Sequence, residues 1–224
     1  MTIGKFITVS AIFITAFTFC SCSKDDEDKN EKENGVDIET NAHEYIDLGL
    51  PSGTLWATCN VGANSPEEYG YYYAWGETMH KETYNWSTYK WCNGSENTLT
   101  KYYTGDNKKQ LEPNDDVANI NWGSGWFIPS IDQLKELFSY TTCSRIKLKG
   151  TEGIELKSII NGKAIIIPCA GYISNGTLYD TDMFYIWSRS LEKGISWSKC
   201  LDSSGQSIHY RCDGLSVRPV RLNK

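Results

Sequence analysis

The pattern of apolar and polar positions divides the chain into three stretches. Residues 6–19 form an almost uncharged apolar run, whereas residues 24–39 hold eight acidic and three basic side chains and almost nothing apolar. From about residue 43 onward, short apolar-polar segments are broken repeatedly by glycine, which predicts a domain of many short strands. Residues 43–50, 54–61 and 69–76 read as strands, rich in Tyr, Trp, Ile and Thr and separated by turn residues. In the third of these, the period of two puts Tyr71, Tyr73 and Trp75 on one face. Residues 79–112 are polar, aromatic and irregular and read as a long surface excursion. The clearest helix is predicted over residues 130–140. Ser130 follows Pro129 and has Gln133 three positions on, a capping-box pattern, and Ile131, Leu134, Leu137 and Phe138 make one apolar stripe. A shorter helix or turn is expected at residues 115–119. Beyond the long helix, residues 154–160 and 163–173 flank Asn161-Gly162, a strong hairpin signal. Further strands are expected at residues 184–190, 195–202, 206–211 and 215–222.

The first stretch addresses the chain out of the cytoplasm. Lys5 precedes the apolar run, which ends in Phe19-Cys20-Ser21-Cys22-Ser23-Lys24, the arrangement of a secretory signal. The run of 14 residues is shorter than the ~20 needed to span a bilayer. A cysteine directly after a small residue at this point resembles a bacterial lipoprotein signal, which implies cleavage before Cys22 and acylation of its thiol. Ser21 suits the position before the cut better than Phe19 does, so Cys22 is preferred to Cys20. The plainer alternative is ordinary secretory cleavage. Residues 24–39 cannot bury enough surface to offset the entropy of ordering them, so they read as a tether. The run Ser23-Lys24-Asp25-Asp26-Glu27-Asp28 resembles the acidic surface-export signals of Bacteroidetes lipoproteins, against the simpler reading of a solvated periplasmic linker. The expected organisation is therefore a signal peptide at 1–21, an acylated cysteine and flexible tether at 22–40, and one domain at 41–224. Localisation is expected at the outer membrane, lipid-anchored and facing the cell surface.

Charge narrows the partners. The formal balance is −6, and it becomes −7 once Lys5 leaves with the signal. An acidic chain without a Lys/Arg-rich run does not suit nucleic acid. The membrane is reached through lipid, not through a basic patch. Six cysteines remain in the domain: Cys59, Cys92, Cys143, Cys169, Cys200 and Cys212. Outside the cytoplasm they are free to pair, but six thiols allow fifteen connectivities. The pairings favoured are Cys59 with Cys92, and Cys200 with Cys212 across a hairpin turning near Gly205. Cys169 is expected as a buried free thiol in its apolar run.

Three segments together carry a wider resemblance. They are Glu44-Tyr45-Ile46-Asp47-Leu48-Gly49-Leu50-Pro51-Ser52-Gly53-Thr54-Leu55-Trp56-Ala57, then Asn121-Trp122-Gly123-Ser124-Gly125-Trp126-Phe127-Ile128-Pro129-Ser130, then Ser216-Val217-Arg218-Pro219-Val220-Arg221. Over residues 43–222 the chain resembles the secreted "major paralogous domain" proteins of Bacteroidetes and fibrobacters, which are similar to C-type-lectin-like domains. The resemblance implies an α+β fold of twisted short antiparallel strands with one or two helices. It imports no site, since domains of that type host sugar binding, protein binding and a sulfatase-modifying oxidase.

Candidate chemistry is concentrated in the excursion and just after it. Trp86, Tyr89, Trp91, Tyr102 and Tyr103, with Tyr84 nearby, alternate with Asn, Ser and Thr. Flat aromatic faces beside amides and hydroxyls suit pyranose rings, although the same side chains would also pin a loop to its domain. Trp56, Trp122, Trp126, Trp187 and Trp197 are expected in the core. Glu112-Pro113-Asn114 invites comparison with the calcium-coordinating triplet of some lectins, and Asp115 and Asp116 extend it. Calcium needs about six to eight oxygens, and the second triplet of such a site is missing, so the alternative is a cap ahead of a short helix. Hydrolytic and phosphate-binding motifs are absent. The three histidines are far apart, and Cys200 and Cys212 are too widely spaced to match the oxidase pattern. The expectation is a non-catalytic extracellular binding domain for a glycan, or alternatively a protein-interaction or adhesin scaffold. Replacing Cys22 with Ala is expected to move the protein from the membrane to the soluble fraction, and continued membrane retention on fractionation would contradict the acyl anchor.

Overall fold

Residues 43–191 and 197–222 are described in a computed structural model of the chain, and they form small antiparallel sheets with two short α-helices. In chain order the first elements are β1 (Tyr45–Asp47), β2 (Thr54–Ala57), α1 (Val117–Trp122), α2 (Ile131–Ser139), β3 (Thr141–Leu148) and β4 (Thr151–Ser158). They are followed by β5 (Ala164–Pro168), β6 (Tyr172–Ser174), β7 (Thr177–Tyr179), β8 (Tyr185–Leu191), β9 (Trp197–Asp202), β10 (Gly205–Tyr210) and β11 (Val220–Leu222). The strand orders are β1-β2-β11, β3-β4-β5, β10-β9-β8 and β6-β7. These elements fall in one compact unit, Asn41–Lys224. Cys22 and the expected tether lie outside the described residues.

Local chemistry explains the elements that matter. At α2 the Gln133 N–H donates to Ser130 Oγ (3.2 Å) and the Ser130 N–H donates back to Gln133 Oε1 (2.9 Å), which completes the capping box. Its apolar stripe buries Ile131, Leu134 and Leu137 in a cluster with Trp56, Leu156, Ile167 and Ile186. Asn161-Gly162 lies in the connection between β4 and β5 as expected, but that connection runs over residues 159–163 and not two residues, β5 ends at Pro168, and of the pair only Gly162 has a positive φ. Two further hairpins turn on two residues with positive φ, Lys149-Gly150 and Asn175-Gly176, the geometry that matches the right-handed twist of strands.

Several expectations change in extent or kind. Residues 69–76 are not a strand, because their N–H groups are split between two segments and out of ladder register: Tyr71 donates to Val61 O, whereas Tyr73 and Trp75 donate to Leu215 O and Arg211 O, four residues apart on the same connection. No single neighbour offers a ladder, although Tyr73 and Trp75 are buried as the alternation implied. Tyr71 is exposed instead. Residues 215–222 contribute only β11 as a strand, and β3 is an element the pattern missed because most of its side chains face solvent. Of the tryptophans expected in the core, Trp56, Trp126 and Trp187 are buried, whereas Trp122 and Trp197 are half-buried.

A second cluster gathers Trp75, Tyr102, Trp126, Trp187, Leu215 and Val217, and a small third one gathers Ala74, Tyr84, Tyr89 and Cys212. Fully buried Arg218 ties the sheets around them. Its Nη1 donates to Ala57 O (3.1 Å) and Thr58 O (3.0 Å), its Nη2 to Ile166 O (2.9 Å), and its Nε to Asn60 Oδ1 (2.9 Å). Burial pulls the guanidinium pKa down to about 10, which leaves it charged at neutral pH. Because each bond from a charged donor contributes roughly 1.5–3 kcal/mol, Arg218→Met is expected to lower unfolding free energy by about 3 kcal/mol or more in urea denaturation. Arg218→Lys should fail to restore it, since an ammonium lacks the planar fork.

Candidate functional site

Segments far apart in sequence converge on an open cleft of about 520 Å³, a size typical of ligand pockets. One wall is the excursion. Its Cys92–Leu99 bridge closes a small loop in which the Asn93 N–H donates to Thr98 O (3.0 Å), presenting Ser95, Glu96 and Asn97 to the cleft. The facing wall is the tip of the β6–β7 hairpin, Ser174 and Asn175, held to the excursion by the Asn175 N–H donating to Tyr84 O (2.7 Å). The end of β10 and the turn after it supply Tyr210, Cys212 and Asp213.

Trp86 and Tyr210 form the aromatic part of the lining. Their rings meet edge to face at 6.0 Å and 77°, a favourable arrangement of the ring quadrupoles. Tyr210 is held from its other side by Trp197, its cross-strand partner, stacked at 3.9 Å. Trp86 is braced by the edge of Tyr89 at 5.6 Å. The close approach of the chain beneath depends on Gly214, where a Cβ would sit 2.9 Å from the Tyr84 ring.

The expected aromatic residues therefore divide into two roles. Trp86 lines the cleft. Tyr89 is buried and donates its hydroxyl to Trp75 O (2.8 Å), so it is a support and not a contact surface. Trp91 donates Nε1–H to Gly76 O (2.7 Å) and packs edge-on to Tyr102. Tyr103 is exposed but does not line the cleft. Tyr102 is fully buried in a left-handed backbone conformation (φ 61°), which a bulky residue adopts only under strong restraint. The restraints are visible: Tyr102 O accepts from Arg211 Nη1 (2.7 Å), its N–H donates to Asp106 Oδ2, and its hydroxyl donates to Asp115 Oδ2. Tyr102 is the nail that fixes the excursion to the domain. Tyr84 is likewise buried, its hydroxyl donating to Tyr72 O (2.6 Å).

The proposed calcium ligands are engaged within the protein. Glu112 accepts from Lys108 and pairs with Lys101 at 2.6 Å, and these two cations pull its pKa down to about 2. Asp115 pairs with Lys101 at 2.5 Å and takes the Tyr102 hydroxyl. Asp116 caps α1, accepting from the N–H groups of Ala118 (3.0 Å) and Asn119 (3.3 Å), and receives the Ile128 N–H as well (2.9 Å). Asn114 lies between them in the short 3₁₀ turn Pro113–Asp115. Among the described residues no group of three or more His, Cys, Asp or Glu side chains is placed to hold a metal ion. The segment serves as a cap and an ion-pair lock.

The disulfide expectations are corrected. All six domain cysteines are free thiols. Cys59 Sγ donates to Ala63 O (3.3 Å), while Cys92 Sγ donates to Trp86 O (3.1 Å). Cys200 belongs to the second cluster and Cys212 to the third. Cys169 is buried as expected. Burial pushes the Cys212 thiol up to about 12 and the Cys200 thiol higher still, so neither is a ready nucleophile at neutral pH.

Tyr210, Asp213, Ser174 and Asn175 were not anticipated as site residues. The Asn175-Gly176 dipeptide was an available signal for a hairpin tip, but nothing in the sequence says that this tip meets Tyr84. A second cleft of about 580 Å³ lies near His43, Tyr71 and Trp122. Its aromatic faces are already occupied, His43 stacking on Trp122 at 3.7 Å and His80 on Tyr71 at 4.2 Å. No protein-family model, curated protein or solved structure matches the chain.

Burial raises the Asp116 pKa from 3.8 to about 6, against the three N–H donors that lower it. The folded state then binds more protons than the unfolded one between these values. Stability from this group is full below about pH 4 and is lost as pH rises through 6. In urea denaturation, unfolding free energy is expected to fall by on the order of 2 kcal/mol from pH 4 to pH 7, and Asp116→Asn should flatten that decline.

Proposed function

We propose that this chain is a lipid-anchored outer-membrane protein whose domain binds a glycan outside the cell without catalysing a reaction. The leader and Cys22 support the location, and the acidic tether after it supports surface exposure. The small antiparallel sheets with two helices are consistent with a C-type-lectin-like domain of the major paralogous type. The observation that carries the glycan reading is the cleft where Trp86 and Tyr210 stand beside Asn85, Ser95, Asn97 and Asn175. Sugar rings offer C–H faces that pack on aromatics and hydroxyls that need donors and acceptors, and this lining supplies both.

The reading does not need calcium, because the carboxylates of residues 112–116 are already paired within the protein. It does not need a nucleophile, since the most buried thiols of the third and second clusters are held protonated. A glycan array probed with calcium and again with chelator tests it: binding is expected under both conditions. Trp86→Ala should weaken that binding about tenfold, the equivalent of roughly 1.4 kcal/mol. Trp91→Ala should lower thermal stability and leave affinity nearly unchanged. A blank array under both conditions would overturn the glycan reading in favour of a protein partner, and unchanged binding by Trp86→Ala would overturn the site.

A further inference from the structure

Two of the six domain cysteines meet at one small cluster. Cys212 is buried to 3 % exposure in the third cluster with Ala74, Tyr84 and Tyr89, and half-buried Cys92 packs against that same cluster. The Cys92 Sγ lies 3.1 Å from Trp86 O and 3.6 Å from Tyr89 O, so its thiol faces the backbone of a cluster member. The two thiols also act on one another. Burial and then the Asp213 charge raise the Cys212 pKa most, and Cys92 adds to the rise. Tyr89, raised above all by its burial, is pushed further by both thiols. No other two of the six come together in this way: Cys169 belongs to the first cluster and Cys200 to the second, Cys59 donates to Ala63 O, and Cys143 is exposed on β3.

The places that these two cysteines occupy give a bond between them a structural effect. Cys92 opens the loop that its bridge to Leu99 closes and that presents Ser95, Glu96 and Asn97 to the cleft. Cys212 lies on the cleft lining in the turn after β10. A covalent tie would fasten the irregular excursion to the C-terminal part of the chain. The two residues are 120 positions apart in sequence, and a bond that closes so long a loop removes much of the freedom of the unfolded chain.

We infer that Cys92 and Cys212 are an oxidisable pair, joined as a disulfide when the chain meets a disulfide donor outside the cytoplasm. Half-buried Cys92 is the entry thiol. Its thiolate attacks one sulfur of the donor R–S–S–R and expels R–S⁻, leaving a mixed disulfide. The Cys212 thiolate then attacks the Cys92 sulfur and expels the second R–S⁻. The two protons of the protein thiols end on the two R–SH, and the two electrons reduce the donor. Because Cys212 is buried and held protonated, the second step is slow in the folded chain and faster while the chain folds. The Sγ of Cys92 gives up its weak hydrogen bond to Trp86 O in exchange. The occurrence of the bond in cells rests on the export reading above, whereas the pairing itself rests on the fold.

The test refolds the detergent-solubilised full chain from reductant and denaturant into a mixture of oxidised and reduced glutathione, followed by alkylation of remaining thiols and tryptic peptide mapping without reduction. A single linked species joining peptides 91–101 and 212–221 is expected. The oxidised chain should unfold about 10 °C above the reduced one, and Cys92→Ser should abolish that difference. Cys143→Ser should keep both the linked species and the difference. Should Cys212→Ser fail to fold, the peptide map of the wild-type chain and the half-buried Cys92 variant still decide the matter. Alkylation of both thiols after oxidative refolding, or a dominant link from Cys92 or Cys212 to any other cysteine, would overturn the inference. Linkage in glutathione together with reduced thiols in chain recovered from cells would instead count against export and leave the pairing standing.

Discussion

The architecture depends on a buried cation satisfied by neutral oxygens. Arg218 links the end of β2 and the residue after it to β5 through Ala57, Thr58 and Ile166, and it also holds the Asn60 side chain. These sheets are too short to be stable through their own ladders: β1 has three residues and β2 four, well below what an independent sheet needs. A side chain that satisfies three carbonyls at once replaces the hydrogen bonds that longer strands would have made. The chain around Arg218 is drawn in with it, since Val61 donates to Val217 O, Ala57 donates to Pro219 O, and Phe127 and Val220 exchange bonds in both directions. The C-terminal segment is thus a seam through the domain rather than a trailing strand.

Arg211 repeats the device for the excursion. It reaches Tyr102 O and Trp197 O, and its guanidinium lies 5.3 Å from the Trp75 ring centre. Lys101 then joins Asp115 and Glu112 beneath it. With its base fixed in this way, the excursion can hold Trp86 and the 95–97 loop in place without any regular strand of its own. Rigid support under a half-buried aromatic residue matters for binding, because a platform already ordered loses less entropy when a ligand arrives. Cys92 belongs to this support, since its thiol donates to the carbonyl of Trp86 itself.

Sequence reasoning succeeded where the determining contacts are local. The α2 capping box involves residues three apart, and Asn161-Gly162 marks the position of the β4–β5 connection even though the turn is longer than two residues. It failed where partners come from a distance. Residues 69–76 have the composition of a strand, yet their N–H groups are divided between Val61 and the 211–215 segment out of ladder register, and no pattern within the window could show that. The strand β3 was hidden for the opposite reason, because its pairing with β4 is continuous while its side chains are mostly solvated. Among the site aromatics, a period or a composition cannot separate Trp86 from Tyr89. The distinction is whether a carbonyl lies within reach of the polar tip, and for Tyr89 that carbonyl belongs to Trp75.

The carboxylates make the same point more sharply. Glu112, Asp115 and Asp116 looked like ligands because they are clustered in sequence, and clustering is what places them beside Lys101, Lys108 and the start of α1. Each is answered by a donor no more than 14 residues away along the chain, so the cluster neutralises itself as it folds. Asp213 stands alone in sequence and drew no attention, yet its neighbours in space leave one oxygen unanswered. A dense acidic motif tends to find its own partners locally, whereas an isolated acid placed late in the chain depends on what tertiary packing brings to it. In this fold the packing brings a histidine to one oxygen of Asp213 and closes over the other without supplying a donor.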